Sequence, residues 1–102
     1  ADKALAAFDK ALEASPGSYM AEYQKGLLYS SQKDYEKALA AHQHAIELNP
    51  HFADAYLALA GISYKLGRKE DALKQADNLR TIGRNDLAEG VVQWVKEQET
   101  TA

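Results

Sequence analysis

The chain has 102 residues and no cysteine. Disulfide bonds and zinc–thiolate sites are therefore excluded. It contains no apolar run long enough to cross a bilayer. The formal net charge of −3 is spread along the chain without a block of either sign, whereas nucleic-acid-binding domains usually carry a basic stripe. We therefore expect neither nucleic acid nor membrane insertion among the interactions of this protein.

What the sequence does contain is the composition of one globular domain. Apolar residues make up 46% and charged residues 26% of the chain, which are ordinary values for a folded protein. The length allows one domain at most. Because the sequence begins inside a helical pattern, we interpret it as part of a longer protein.

A repeat of 34 residues organises the chain. Pro16 and Pro50 are 34 residues apart, and the segments that end in them read ADKALAAFDKALEASP and YEKALAAHQHAIELNP. The same spacing relates two further sets of positions: Ala4, Ala38 and Ala72, and Leu5, Leu39 and Leu73. A period of this length is typical of stacked helical repeats.

The spacing of residues within each copy of the repeat indicates α-helices. Between residues 35 and 48, one face of an α-helix would carry Ala38, Leu39, His42, Ala45 and Ile46, which are mostly apolar. Asp34 is a candidate N-cap; Pro50 and Gly67 end successive helices. The pattern predicts six helices, over residues 2–14, 19–32, 35–48, 53–66, 69–82 and 87–97. Small residues at Gly26, Ala38, Ala60 and Ala72 predict close helix crossings.

These residues resemble the tetratricopeptide repeat family. Residues 19–52 look like one full repeat through Gly26, Tyr29, Ala38, Ala45 and Pro50. Residues 53–86 look like a second, through Tyr56, Leu59, Ala60 and Ala72, and residues 1–18 look like the second helix of an earlier repeat, through Ala4, Phe8, Ala11 and Pro16. The resemblance implies an all-α fold over residues 1–102, in which antiparallel helix-turn-helix repeats stack as a right-handed α-solenoid of about six helices.

Some positions depart from the pattern of that family. Glu22 and Lys25 stand where an aromatic residue and a leucine are usual, and Arg84 replaces the closing proline. The segment after residue 86 has left the pattern but keeps an apolar stripe: Leu87, Val91, Trp94 and Val95. Asp86 and Glu89 resemble a capping box. We interpret residues 87–99 as a C-terminal capping helix, followed by a tail at 100–102.

Nothing in the sequence predicts catalysis, a cofactor or a metal site. His42 and His44 are two residues apart, so they leave a helix on different faces, and His51 lies in a turn. We interpret His42 as a partly buried packing residue. Two carboxylate pairs occur, Glu70 with Asp71 and Glu97 with Glu99, but neither shows a sign of the desolvation that acid–base catalysis needs. Since no phosphate loop or nucleophile motif is present either, we expect a protein that is not an enzyme.

The resemblance also points to a binding surface, because the first helix of each repeat lines the concave face in this family. The implied groove is mostly apolar and consists of Met20, Tyr23, Gln24, Leu27, Asp54, Leu57, Ala58, Tyr64 and Lys65. Of these, Tyr23 and Tyr64 lie away from the main packing positions and are candidates for binding hot spots. The cationic clamp that some members use for a C-terminal carboxylate is absent, because its positions hold Tyr23, Leu27, Ala58 and Asp54.

The function predicted from the sequence is a non-catalytic scaffold that binds a peptide or helix of a protein partner in this apolar groove. The alternative for the groove itself is that the capping helix or a further repeat covers it. Two other functions stay open. One is self-assembly into homo-oligomers through the first helix, with Leu5 and Phe8 in the contact; the other is an auxiliary repeat region of a larger enzyme such as a glycosyltransferase.

Overall fold

A computed structural model describes residues 18–101, and this part of the chain contains five helices and no strand. The helices are α1 (Tyr19–Ser31), α2 (Tyr35–Leu48), α3 (Ala53–Lys65), α4 (Lys69–Thr81) and α5 (Asn85–Thr101). Connections of three or four residues join them, so each helix packs antiparallel to the next. The expected all-helical repeat fold is confirmed. The helix expected at residues 2–14, with Leu5 and Phe8, lies outside the described residues.

The ends of α1, α2, α3 and α4 lie within one residue of the ends predicted from the sequence, but those of α5 do not. It begins at Asn85 and continues to Thr101, two residues earlier and four later than expected. The capping box at Asp86 and Glu89 is therefore wrong, because Asp86 already lies in the first turn of α5. The carbonyl of Arg84 accepts the first bond, from the Ala88 amide at 3.0 Å, and the Arg84 guanidinium approaches the Asp86 carboxylate at 3.4 Å.

Three of the helices end in the same left-handed turn. Lys33, Gly67 and Gly83 have φ angles of 62°, 78° and 84°. After Gly67, the Arg68 amide donates to the Ser63 carbonyl at 2.9 Å, and the Gly67 amide itself donates to the Tyr64 carbonyl. This pair of bonds satisfies carbonyls that the helix end leaves free. Lys33 occupies the position 34 residues before Gly67, where it adopts the same backbone with a side chain attached.

The helix starts are less uniform. Ser18, which the sequence reading missed, caps α1 by accepting a hydrogen bond from the Ala21 amide at 3.2 Å. Asp34 stands at the N-cap of α2 as expected, yet its side chain makes no capping bond. Its carboxylate lies instead 3.6 Å from Lys37 Nζ. The start of α2 therefore gains only an exposed ion pair, which contributes little.

Small residues form the centre of the stack, as the repeat predicts. The positions that are at most 2% exposed are mostly alanines: Ala38, Ala45, Ala55, Ala60, Ala72, Ala76 and Ala88, together with His42, Leu79 and Val95. Between the two repeats, the ring of Phe52 lies against Tyr19 and Tyr23, with ring centroids 4.9 and 5.1 Å away. No helix among residues 18–101 combines the length and the apolar character that crossing a membrane requires.

Candidate binding groove

One side of the stack is built from α1, α3 and α5. Each of these helices is antiparallel to the helix next to it, so the three run parallel. Within one helix, residues at i, i+3, i+4 and i+7 share a side, and an apolar hollow joins Leu57 and Gly61 to residues of α5. We call this side the groove face. Its residues are Met20, Tyr23, Gln24 and Leu27 of α1, then Asp54, Leu57, Ala58, Gly61, Tyr64 and Lys65 of α3, and finally Leu87, Gly90, Val91 and Trp94 of α5.

The α1 part of the groove face carries two unusually exposed apolar side chains. Met20 is 45% and Leu27 40% exposed, and they are the exposed large hydrophobic residues of the described chain. Tyr23, between them, is half-buried rather than free: its ring contacts Phe52, and the ring centroid of His42 lies 5.2 Å away. The expectation that Tyr23 lies away from the packing is therefore wrong, because the loop before α3 brings Phe52 against it.

An apolar hollow lies between α3 and α5, and we call it the notch. It has a volume of ≈ 240 Å³ and is lined by Leu57, Ala60, Gly61, Asp86, Leu87, Gly90, Val91 and Trp94. A Cβ atom added to Gly61 or to Gly90 would meet no heavy atom within 4 Å. The two glycines therefore keep the floor and one wall of the notch open.

Helix α5 forms one wall of this notch. Trp94 packs edge-to-face on Tyr64, with ring centroids 5.3 Å apart, so Tyr64 is also half-buried and was wrongly expected outside the packing. The buried side of α5 consists of Ala88, Val91 and Val95. Sequence reasoning treated α5 only as a cap and missed its contribution; the available signal was Gly90 and Trp94, which are four residues apart and share a helix face.

The groove face carries few charges, and they differ in their surroundings. Asp54 is exposed on the first turn of α3. Burial raises the pKa of Tyr23, and the nearby charge of Asp54 raises it further, which locates this carboxylate beside the α1 part of the face. At the other end of α3, Lys65 Nζ lies 5.6 Å from the centre of the Tyr35 ring, so this cation already has an aromatic neighbour.

The three histidines lie apart. His42 is fully buried, not partly buried as expected, and neither ring nitrogen has a hydrogen-bond partner. Burial lowers the pKa of His42 to about 4, so the ring is neutral at pH 7. His44 Nδ1 is 3.0 Å from Glu22 Oε1, and His51 lies in an exposed turn. Within residues 18–101, no three His, Asp or Glu side chains come together as a metal ion would require.

The opposite side of the stack has a different character. A hollow of ≈ 670 Å³ lies there between α2 and α4, and its lining includes Gln43, Asp71, Lys74 and the pair formed by Arg68 and Glu36. Arg68 Nη2 donates to Glu36 Oε1 at 2.6 Å. Charged and amide side chains dominate this hollow. An apolar segment would have to desolvate them, which makes this side the poorer binding surface.

Comparison with known proteins identifies the repeat in one part of the chain. The sequence model of the family described as "Tetratricopeptide repeat" matches residues 19–52, which cover α1 and α2. Residues 19–52 are therefore one tetratricopeptide repeat. Tetratricopeptide repeats generally mediate protein–protein interactions, and the family is typically non-catalytic.

Two curated relatives extend the similarity. The chain is 33% identical over 76 residues to the protein STIP1 homolog of Dictyostelium discoideum, and 44% identical over 50 residues to an uncharacterized protein of Methanocaldococcus jannaschii. The matches cover 74% and 49% of this chain, but only 14% and 58% of the two relatives. The chain thus spans less than two thirds of either relative.

Proposed function

We propose that this chain is a non-catalytic scaffold that binds a peptide or short helix of a protein partner on the groove face. The observation that carries the proposal is the notch, an open hollow whose lining is apolar apart from Asp86. Its volume of ≈ 240 Å³ suits one large apolar side chain. Apolar surface that a folded chain leaves open in this way is typical of interaction sites.

One apolar side chain bound in the notch, the anchor of the segment, buries too little area for stable binding. The other residues of the groove face supply further contact area. Burying one large apolar side chain contributes about 1.5–3 kcal/mol, whereas micromolar affinity needs about 8 kcal/mol. Met20 and Leu27 offer further exposed apolar surface on α1, and the half-buried ring of Tyr23 lies between them on the same helix. A segment that crosses all three helices would use both ends of the groove face.

Selection from a random peptide library displayed on phage tests this proposal. The immobilised chain selects clones, and each clone is then measured on two variants. Gly61→Leu fills the notch, since nothing stands within 4 Å of the new Cβ atom. Gln43→Leu adds the same side chain to the polar hollow on the other side, and controls for a general gain of apolar surface.

We expect the recovered clones to bind the parent and Gln43→Leu equally, and to lose at least tenfold in affinity on Gly61→Leu. Peptides synthesised from them, without tryptophan, should change the emission of Trp94, which is the single tryptophan of the chain. Clones that bind Gly61→Leu as well as the parent would show that the notch is not the site.

The two alternative functions remain predictions. Self-association depends on Leu5 and Phe8, which lie outside the described residues. A role as an auxiliary region of a larger enzyme, such as a glycosyltransferase, would need a catalytic domain elsewhere in a longer protein. Neither gains support from a contact or a cavity of residues 18–101.

A further inference from the structure

We infer that the groove face selects segments that carry a basic side chain next to the apolar anchor, and that Asp54 is the residue that recognises it. This inference rests on the proposed function and adds the chemical class of the ligand. The occupant is therefore an amphipathic peptide of a partner protein with a lysine or arginine beside a large apolar residue.

The first step concerns the position of the carboxylates. Asp54 is the second residue of α3, and Asp86 is the second residue of α5. Because α3 and α5 run parallel, their first turns lie at the same edge of the groove face. Asp86 lines the notch itself, and Asp54 lies one helical turn before Leu57, which also lines it. Both carboxylates therefore border the site of the apolar anchor at one edge.

The second step concerns what already neutralises these charges. Asp86 has the Arg84 guanidinium 3.4 Å away. Asp54 is exposed and has no ion-pair partner among the cations of residues 18–101. The cation of the groove face, Lys65, lies eleven residues further along α3, about 16 Å from Asp54 along the helix axis, and Lys69 is paired with Glu99. The uncompensated charge that a bound segment meets beside the notch is therefore the negative charge of Asp54.

The third step concerns the α1 part of the groove face, which offers no competing charge. This part consists of Met20, Tyr23, Gln24 and Leu27, none of which is charged at neutral pH. An acidic segment would meet repulsion at Asp54 without finding a free cation on α1. The charge pattern thus separates basic from acidic segments, although the apolar notch accepts the anchor of either.

The test uses the clones that lose binding on Gly61→Leu. We expect lysine and arginine to be enriched within four residues of the anchor, relative to the unselected library. Asp54→Asn should lower the affinity of these clones about 2- to 5-fold, which is the range of one exposed ion pair. The difference should shrink as salt rises, because salt screens exposed charges.

Asp71→Asn is the matched control. Asp71 also lies in the first turn of a helix, here α4, but it lines the polar hollow on the other side. The two variants lose the same charge near a helix start, so only Asp54→Asn should affect the basic clones. Replacing the flanking lysine of a synthetic peptide with glutamine should reproduce the loss on the parent and add nothing on Asp54→Asn.

The outcomes separate the two proposals. Notch-dependent clones with no basic enrichment, or with acidic enrichment, would overturn the charge preference and leave the groove assignment standing. Equal effects of Asp54→Asn and Asp71→Asn would also overturn it. A selection that yields no notch-dependent clone would overturn the groove assignment and this inference together.

Discussion

The ring of His42 occupies the space that a side chain at Gly26 would need. A Cβ atom on residue 26 would lie 2.5 Å from His42 Cε1 and 2.6 Å from Nε2, whereas carbon atoms pack at about 3.5–4.0 Å. One repeat later, the corresponding positions hold Ala60 and Ala76, both buried. The same helix crossing is thus made by a glycine with a large ring in one repeat and by two alanines in the next.

Gly26→Ala should destabilise the protein. The added methyl group must displace a buried ring, and overpacking of this kind costs about 1–3 kcal/mol. Part of that cost is offset because alanine favours a helix over glycine by about 1 kcal/mol. We expect a net loss of about 1–2 kcal/mol in urea denaturation. A variant as stable as the parent would contradict the packing described here.

Two further variants isolate the cause. Gly61→Ala makes the same change in α3 where the Cβ atom meets nothing, and it should stabilise by about 0.5–1 kcal/mol. In a His42→Ala background, which recreates the alanine of residue 76, Gly26→Ala should no longer destabilise. The coupling between residues 26 and 42 should therefore be visible in a double-mutant cycle.

Stability should fall in mild acid because of His42. Burial lowers the pKa of its ring to about 4 in the folded protein, against about 6.5 in the unfolded chain. The unfolded state therefore binds the proton first, and the stability that this residue contributes is present above pH 6.5. It is lost as the pH falls from 6.5 to 4, by about 3 kcal/mol at most.

Chemical denaturation at several pH values between 4 and 7 measures this loss. His42→Ala should flatten the dependence in that window, while lowering stability at pH 7 through the cavity it leaves. His51→Gln changes an exposed histidine in a turn and should keep the dependence of the parent. An unchanged slope in His42→Ala would assign the acid sensitivity to other groups.

Lys33→Gly should stabilise the protein. Lys33 has a φ of 62°, a left-handed conformation that costs a residue with a Cβ atom about 1–2 kcal/mol. Glycine removes that cost but loses more freedom on folding, so we expect a net gain of about 0.5–1 kcal/mol. The reciprocal change, Gly67→Lys at a φ of 78°, should destabilise by a similar amount. Thermal melts of both variants compare the two turns directly.

Leu57→Lys should weaken peptide binding at least tenfold, or about 1.4 kcal/mol. Leu57 lines the notch and is half-buried, and the ammonium group would have to reach the edge of the groove face to stay hydrated. Circular dichroism should show unchanged helix content. Gln43→Lys on the opposite side is the control and should leave binding unaltered; equal losses in both variants would point to a general effect of charge.

The repeat period predicted the bounds of four of the five described helices. It could do so because each helix carries the pattern in its own residues. Ala38 and Ala72 recur at the same place in both repeats, and Pro50 and Gly67 end helices by their own backbone preferences. The start of α5 was not predictable in this way. The helix begins directly after the turn at Gly83, where the Arg84 carbonyl accepts its first hydrogen bond, and not with the capping box that Asp86 suggested.

The repeat names candidate groove residues on α1 and α3, which stay a prediction, and it does not extend to α5. Residues such as Leu27 and Leu57 follow from the register of the repeat, whereas Gly90 and Trp94 stand beyond its last recognisable copy. The depth of His42 was missed for another reason. Its burial depends on Gly26, sixteen residues earlier, and a complementarity between two positions leaves no periodic signal in either helix.

The glycine–histidine crossing also limits how this protein could be re-engineered. Helix α2 carries the ring that only a glycine in α1 accommodates, and α3 offers Ala60 instead. In a shuffled array, a hairpin with α3 as its first helix and α2 as its second would force that ring against a methyl group. Moving α1 and α2 together would not. The unit that can be exchanged in this array is therefore the hairpin, because the two helices of each hairpin are complementary to each other at their crossing.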